Sequence, residues 1–137
     1  MGLTIRPLID GDYETILKQW WIDWGWEPPQ KDFLPQEGTG GLMIMDGDTP
    51  VCAGFIYTSN SSVAWVDWIV SNKNYRKKPE RANSIKWLIS SLESLAKRTG
   101  HKYVYALIKH KALIGVYESL GFTKGDAYTT ELIKTIN

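Results

Sequence analysis

Residues 63–70 read Val-Ala-Trp-Val-Asp-Trp-Ile-Val, and this run carries the strongest structural signal in the chain. Both alternating sets of side chains are apolar, a pattern that predicts a strand buried on both faces of a sheet. Asp67 is its only charged residue. Burial would raise the pKa of this carboxyl group and suit it to general-base work. A structural role, paired with a lysine or arginine or beside a strand bulge, is the alternative.

The segments around this strand alternate between strand and helix patterns. Runs rich in β-branched and aromatic residues predict the other strands, at Thr4–Leu8, Leu42–Met45, Val51–Thr58, Lys102–Ile108 and Tyr128–Ile136. Apolar residues at helical spacing predict three helices, one from Tyr13 to Trp24 capped by Asp10 or Asp12, one over Pro79–Arg98 and one over Ala112–Leu120. Asp-Gly within residues 46–50 predicts a hairpin turn. The order β-α-β-β-β-α-β-α-β predicts an α/β (α+β) fold with helices on both faces of a mixed sheet.

The composition narrows the class of protein. A chain of 137 residues, 43% hydrophobic and 23% charged, predicts a single globular domain over residues 1–137. Sixteen basic against fifteen acidic side chains argue against a general nucleic-acid partner. One cysteine and two histidines cannot build a four-ligand zinc site, so no metal is expected. The chain shows no signal-peptide pattern and no apolar run of membrane-spanning length, so we expect a cytoplasmic protein with no membrane partner.

A basic segment, residues 72–82, separates the buried strand from the long helix. Its five cations are Lys73, Arg76, Lys77, Lys78 and Arg81. A loop that enters a helix offers free N–H groups and the positive end of the helix dipole, which together favour phosphate. A solvated basic loop is the alternative interpretation.

The segment Ala112-Leu-Ile-Gly-Val-Tyr-Glu-Ser-Leu-Gly-Phe122 is a helix pattern ended by glycine, in which Tyr117 fits a core position. With the two preceding segments it resembles the GNAT superfamily of acyl-CoA-dependent N-acetyltransferases over roughly residues 3–136. The most specific match is Val116-Tyr-Glu-Ser-Leu-Gly-Phe122. A second is Trp68-Ile-Val70 leading into Tyr75-Arg76, and His110 stands where the family often has an asparagine.

The resemblance implies a cytoplasmic transferase that uses acetyl-CoA as co-substrate and acts on an amine. The thioester would lie against a splayed fourth strand, where backbone N–H groups near Ile69 and Val70 stabilise the developing oxyanion. Asp67 would be the general base and Tyr117 the proton donor to the departing thiolate. The implied cofactor-binding residues are Ile69, Val70, Arg76, Lys77, Lys78, Arg81, Ala82 and His110.

The cofactor loop departs from the family pattern. Pro79 replaces the first glycine, and Ala82 matches the second small residue only with one insertion. Glu80 would repel a pyrophosphate, whereas Lys78 and Arg81 would supply charge-assisted bonds in place of backbone contacts. This departure motivates an alternative, a catalytically silent GNAT-fold binding or interaction module.

Tryptophans are concentrated in residues 20–26, and the resemblance places this region at the entrance for the acceptor. Trp20 and Trp24 belong to the apolar helix face, Trp21 lies at its margin, and Trp26 follows Gly25 outside the helix pattern. Core packing explains most of these rings. We single out Asp23, Trp26 and Glu27 as acceptor contacts. The amine acceptor (a small molecule, a nucleobase-like group or a protein) stays open, as does a homodimer formed through the last strand.

Overall fold

Five strands form one mixed sheet in the part of the chain that the computed structural model describes, residues 2–127 and 130–136. They are β1 (Leu3–Pro7), β2 (Gly41–Asp46), β3 (Thr49–Tyr57), β4 (Val63–Ser71) and β5 (Tyr103–Tyr105). The sheet order is β1-β2-β3-β4-β5. The first four strands pair antiparallel, and β5 pairs parallel to β4. Gly47, at φ 61°, allows the tight turn between β2 and β3 that Asp-Gly predicts.

Helices cover both faces of this sheet, as the sequence predicts. A π-helical turn, Tyr13–Leu17, continues into α1 (Lys18–Asp23), and the two longer helices are α2 (Glu80–Arg98) and α3 (Lys111–Ser119). None of the helices within the described residues is long and apolar enough to cross a membrane.

Alternate residues of the strands divide the core into two halves. Phe55 packs with the residues of α1, and we call this side the α1 face. Val66 packs with Leu88 of α2 and Tyr117 of α3 on the other side, the α2 face. The two-faced burial predicted for residues 63–70 is confirmed in part: Val66 is buried on the α2 face and Val70 on the α1 face, but Trp65 and Asp67 are only half-buried.

The start of the first helix differs from the prediction. Asp12 occupies the N-cap position, but its side chain makes no capping bond. Its carboxylate instead accepts two bonds from the Arg6 guanidinium, at 2.8 and 3.0 Å, and one from the Ile9 N–H at 2.8 Å. A two-pronged charge-assisted pair of this kind is stronger than a single neutral capping bond. Trp21 lies within the core rather than at its margin and is 2% exposed.

The end of the sheet is shorter than predicted. The strand expected over Lys102–Ile108 is limited to Tyr103–Tyr105, because β4 diverges from it after Trp65 and leaves the following residues without a ladder partner. The strand expected over Tyr128–Ile136 is also wrong where the structure describes that segment. Residues 130–136 form no strand, and residues 128 and 129 lie outside the described residues. Leu132 is 90% exposed, so strand-like composition there is not matched by a packing surface.

Candidate active site

The pairing of β4 with β5 ends at Trp65 and Tyr105, although β4 continues to Ser71, and we call the region beyond this last pair the gap. The Tyr117 hydroxyl reaches into this region from α3 and donates a hydrogen bond to the Val66 carbonyl oxygen at 3.1 Å. The ring is 4% exposed and meets Phe122 edge-on, with the ring centroids 4.9 Å apart, so Phe122 packs back on the core as predicted. Burial, with a smaller contribution from the charge of Asp67, raises the pKa of Tyr117 far above its ordinary value. The phenol therefore keeps its proton and is available as a donor.

A bulge bends β4 next to this gap. Asp67 pairs with Phe55 and Val70 with Ala53, so Trp68 and Ile69 together oppose the single residue Gly54. Trp68 adopts a left-handed φ of 58°. A Cβ on Gly54 would lie 2.5 Å from Ile69 Cδ1 and 3.0 Å from Leu92 Cδ1, so glycine leaves room for these two side chains to pack over β3.

Asp67 helps to hold the bulge. Its Oδ1 accepts a hydrogen bond from the Trp68 N–H at 2.9 Å. Burial raises the pKa of this carboxyl group above its ordinary value, and hydrogen bonds from the backbone of Trp68 and Leu107 oppose part of that rise. No ion pair involves Asp67 among residues 2–127 and 130–136. The carboxyl group therefore lies beside a bulge, as one structural alternative held, and its raised pKa also suits a general base.

Asp67 and Tyr117 approach the gap from opposite faces of the sheet. Directly paired residues of neighbouring strands project to the same face, and the partner of Asp67 is Phe55, which stacks on Trp21 beneath α1. Asp67 therefore belongs to the α1 face. Tyr117 packs among residues of the α2 face. A reacting group held in the gap would meet a proton donor on one side and a carboxylate on the other.

Some of the cations predicted to bind a cofactor already have partners within the chain. Lys77 Nζ lies 3.2 Å from Asp46 Oδ2, the atom that also accepts the Tyr75 hydroxyl at 2.8 Å. The Arg81 guanidinium lies over the Trp24 ring, 5.5 Å from its centroid.

The remaining predicted cofactor contacts surround the start of α2 or lie in β4. Arg76, Lys78 and Ala82 are exposed at this end of the helix, where Pro79 takes the N-cap position without a side-chain capping bond. The Arg81 N–H already donates to the Lys77 carbonyl oxygen at 2.9 Å, so an anion at this helix start would use the other first-turn N–H groups. Ile69 and Val70 follow the bulge in β4.

A polar depression of about 580 Å³ lies on the hairpin side of the basic loop. Its lining includes Asp46, Tyr75, Arg76 and Lys77. Tyr117 does not line it, so this depression is separate from the gap between β4 and β5.

The residues predicted to contact the acceptor lie in or beside a cluster of three rings, those of Trp24, Trp26 and His110. Trp26 stacks on Trp24 with the ring centroids 5.8 Å apart, and it meets the His110 ring at 5.0 Å. Asp23 accepts a hydrogen bond from Lys73 Nζ on its carbonyl oxygen at 3.2 Å. The structure thus brings Trp26, expected at the acceptor, against His110, expected at the cofactor. Glu27 follows on the same segment and is exposed.

Sequence reasoning missed the aromatic residues that surround Asp67 on the α1 face. They are Phe33, Tyr57, Trp65, Trp68 and Tyr105. One signal was available, since Trp65 and Asp67 are two residues apart in a strand and must share a face. The placement of Phe33, Tyr57 and Tyr105 depends on strand register and loop path, which the sequence pattern does not reveal.

Comparison by sequence finds no family model and no curated protein that matches this chain. Comparison with solved structures finds many similar folds. An acetyltransferase from Trypanosoma brucei is 18% identical, with a TM-score of 0.68 over 96% of this chain and 99% of that one. Glucosamine-6-phosphate N-acetyltransferase from Arabidopsis thaliana is 12% identical, with a TM-score of 0.70 over 98% and 100%.

N-acetylglutamate synthase from Neisseria gonorrhoeae, solved with coenzyme A and L-arginine, is 11% identical with a TM-score of 0.73. The match covers 90% of this chain but only 28% of that one. These likenesses show the fold of GNAT-type acetyltransferases, so the resemblance given by the sequence motifs is confirmed at the level of the fold.

Proposed function

We propose that this protein is an N-acetyltransferase that moves an acetyl group from acetyl-CoA to an amine by direct attack. One observation carries the proposal: a buried phenol and a desolvated carboxylate flank the gap between β4 and β5 from opposite faces. An acyl transfer to an amine needs both a proton acceptor and a proton donor. The shared fold with acetyltransferases, one of them solved with coenzyme A, supports the same chemistry.

Asp67 is the proposed base. An ammonium group has no lone pair, so it must lose a proton before the nitrogen can attack the thioester carbonyl. The Asp67 carboxylate takes that proton, directly or through a water molecule. Because the pKa of this carboxyl group is raised toward neutral pH, its carboxylate is a stronger base than that of an ordinary aspartate.

Tyr117 is the proposed acid. As the new C–N bond forms and the C–S bond breaks, the sulfur leaves as a thiolate that needs a proton. The Tyr117 hydroxyl supplies this proton and recovers one from solvent. The nitrogen, which carries an extra proton after attack, releases it to solvent, and Asp67 also returns its proton to solvent, so the products are the amide, the free thiol and one net proton. Backbone N–H groups near Ile69 and Val70, just after the bulge, would stabilise the negative charge that develops on the carbonyl oxygen.

The start of α2 is the proposed grip on the diphosphate of the co-substrate, which supplies the activated acetyl thioester. Its first turn lacks a side-chain cap from Pro79, and the exposed cations Arg76 and Lys78 lie beside it, so an anion suits this position. Arg81 can contribute if it leaves the Trp24 ring. Glu80 lies in the same first turn, and its negative charge disfavours anion binding, so binding of the diphosphate depends on the cations.

Coenzyme A binding tests this proposal. Saturating coenzyme A, at about 100 times its Kd, should stabilise the protein by roughly 2.7 kcal/mol in thermal unfolding. The double variant Lys78→Gln, Arg81→Gln should weaken binding about tenfold or more, since one charge-assisted bond is worth roughly 1.5–3 kcal/mol. The matched control is Lys97→Gln, Arg98→Gln, the same charge change at the opposite end of α2. This control should bind coenzyme A like the wild type.

Turnover is measured by thiol release from acetyl-CoA in the presence of a pool of primary amines. No thermal shift at millimolar coenzyme A, together with no amine-dependent thiol release, would reject the proposal that this protein is an acetyltransferase. That pair of results would favour the alternative, a catalytically silent module that keeps the fold alone.

A further inference from the structure

We propose that the row of aromatic side chains beside Asp67 on the α1 face is the acceptor site, and that it takes a primary amine joined by a short alkyl chain to an aromatic ring. The inference rests on the proposed function, because it identifies the amine of that reaction. It also moves the acceptor away from Asp23, Trp26 and Glu27.

Three rings lie in a row across β3, β4 and β5. Tyr57 pairs with Trp65, and Trp65 pairs with Tyr105, so all three side chains project to the same face of the sheet. The rings of Trp65 and Tyr105 meet edge-on with their centroids 4.8 Å apart. Tyr105 is 39% exposed. The row therefore offers ring surface that solvent reaches.

Asp67 stands at one side of this row. It follows Trp65 by two residues on the same strand, so the two side chains share the α1 face and are separated by about 7 Å along the strand. That spacing suits a ligand whose ammonium group meets the carboxylate while its ring lies on Trp65. The nitrogen would then lie next to the gap that Tyr117 enters from the other face.

Hydrogen bonds hold Tyr57 and its neighbours Trp68 and Phe33 in place before any ligand arrives. Trp68 Nε1 donates to the Tyr57 hydroxyl oxygen at 2.8 Å, and the Tyr57 hydroxyl donates to the Phe33 carbonyl oxygen at 2.9 Å. Phe33 also meets Trp68 edge-on, with the centroids 6.1 Å apart. Because these rings are already held, the protein side chains lose little conformational entropy when a ligand binds. The Tyr57 proton is committed to the Phe33 carbonyl oxygen, so this hydroxyl does not donate to a ligand.

The charge around Asp67 favours a cation. Burial is the main cause that disfavours the ionised form of Asp67, and the charge of Glu131, in the terminal segment, adds a smaller contribution. An ammonium group relieves this repulsion, whereas an acidic acceptor would increase it. A cation of the chain already contacts an aromatic ring of β5: Lys102 Nζ lies over the Tyr103 ring, 5.6 Å from its centroid.

Binding of three probes to the full chain, without coenzyme A, tests the inference. The probes are 2-phenylethylamine, ethylamine and 3-phenylpropionate, measured by calorimetry and by ligand NMR. We expect 2-phenylethylamine to bind at least about tenfold more tightly than either of the others, since it alone pairs a ring with an ammonium group. Trp65→Leu and, separately, the more exposed Tyr105→Leu should each weaken its binding severalfold, and Trp65→Phe should restore most of it.

The matched control is Trp87→Leu. Trp87 is a 38% exposed tryptophan on α2, across the sheet from the proposed row, and its loss should leave amine binding unchanged. Equal binding of the three probes, or wild-type binding by both Trp65→Leu and Tyr105→Leu, would overturn the acceptor site whatever coenzyme A does. Ring-dependent amine binding without coenzyme A binding or thiol release would instead leave the amine site standing and reject the proposed function.

Discussion

Removal of one oxygen atom, in Tyr117→Phe, separates a chemical role of this hydroxyl from a structural one. The hydroxyl donates to the Val66 carbonyl at 3.1 Å in a buried setting. Its loss removes one hydrogen bond and leaves a buried acceptor unpaired, which costs roughly 1–3 kcal/mol of unfolding free energy. Loss of a general acid costs about 10²–10⁴ in turnover. The two effects are measured independently, one by denaturant unfolding and the other by thiol release at saturating substrates.

Tyr13→Phe is the matched control. Tyr13 is also buried, at 9% exposure, and its hydroxyl donates to the Pro29 carbonyl at 2.6 Å. Tyr13→Phe therefore makes the same chemical change, the loss of a hydroxyl that donates to a buried carbonyl oxygen, at a site outside the gap. We expect a similar loss of stability for both variants and a loss of kcat for Tyr117→Phe alone. Coenzyme A affinity should stay near the wild-type value in both.

The pattern of kinetic constants decides the result. If Tyr117 protonates the thiolate, its loss lowers kcat and leaves the KM for acetyl-CoA nearly unchanged, because the hydroxyl acts only as the C–S bond breaks. A kcat for Tyr117→Phe equal to that of Tyr13→Phe would refute the acid role. A change in KM alone would show that the hydroxyl only positions the thioester.

Three other expectations concern the same region. The raised pKa of Asp67 means that the folded state holds this proton more tightly than the unfolded chain does. The free energy of unfolding should therefore fall, and activity should rise, as pH rises from 3.8 through the folded pKa. Over that window the stability of Asp67→Asn, measured by unfolding at each pH, should increase relative to the wild type. Cys52, with its pKa raised to about 12 by burial, should not react with a disulfide reagent until the protein unfolds, which also keeps the thiol-release assay free of background. Gly54→Ala, whose new methyl would meet Ile69, should destabilise by about 1–3 kcal/mol in denaturant unfolding, whereas Gly115→Ala, in open space on α3, should stabilise by up to about 1 kcal/mol.

Local patterns predicted most of the fold because each depends on residues near each other in the chain. The alternation in residues 63–70 required a strand with two apolar faces, and Asp-Gly required a tight hairpin. Both elements are confirmed. The period of apolar residues in α2 likewise placed its C-terminus at Arg98. These signals arise from the period of a strand or helix, which the sequence displays directly.

The parts that were missed depend on contacts between distant segments. The end of β5 follows from where β4 bends away, and that bend follows from the pairing of two residues with Gly54. Nothing within residues 102–108 carries this information. The placement of Trp26 against His110 likewise joins the region after α1 to the start of α3, so aromatic character alone could not tell an acceptor contact from this packing.

The candidate acid and base also influence each other, and the direction of that influence suits their proposed order of action. Burial is the main cause of the raised pKa of Tyr117, and the charge of Asp67 adds to it. While Asp67 is ionised, the phenol therefore holds its proton especially tightly. Once Asp67 has accepted the proton of the ammonium group, its charge is neutralised and this contribution to the pKa of Tyr117 disappears. Deprotonation of the amine on the α1 face thus removes one of the two causes that raise the pKa of Tyr117, and burial, the larger cause, remains.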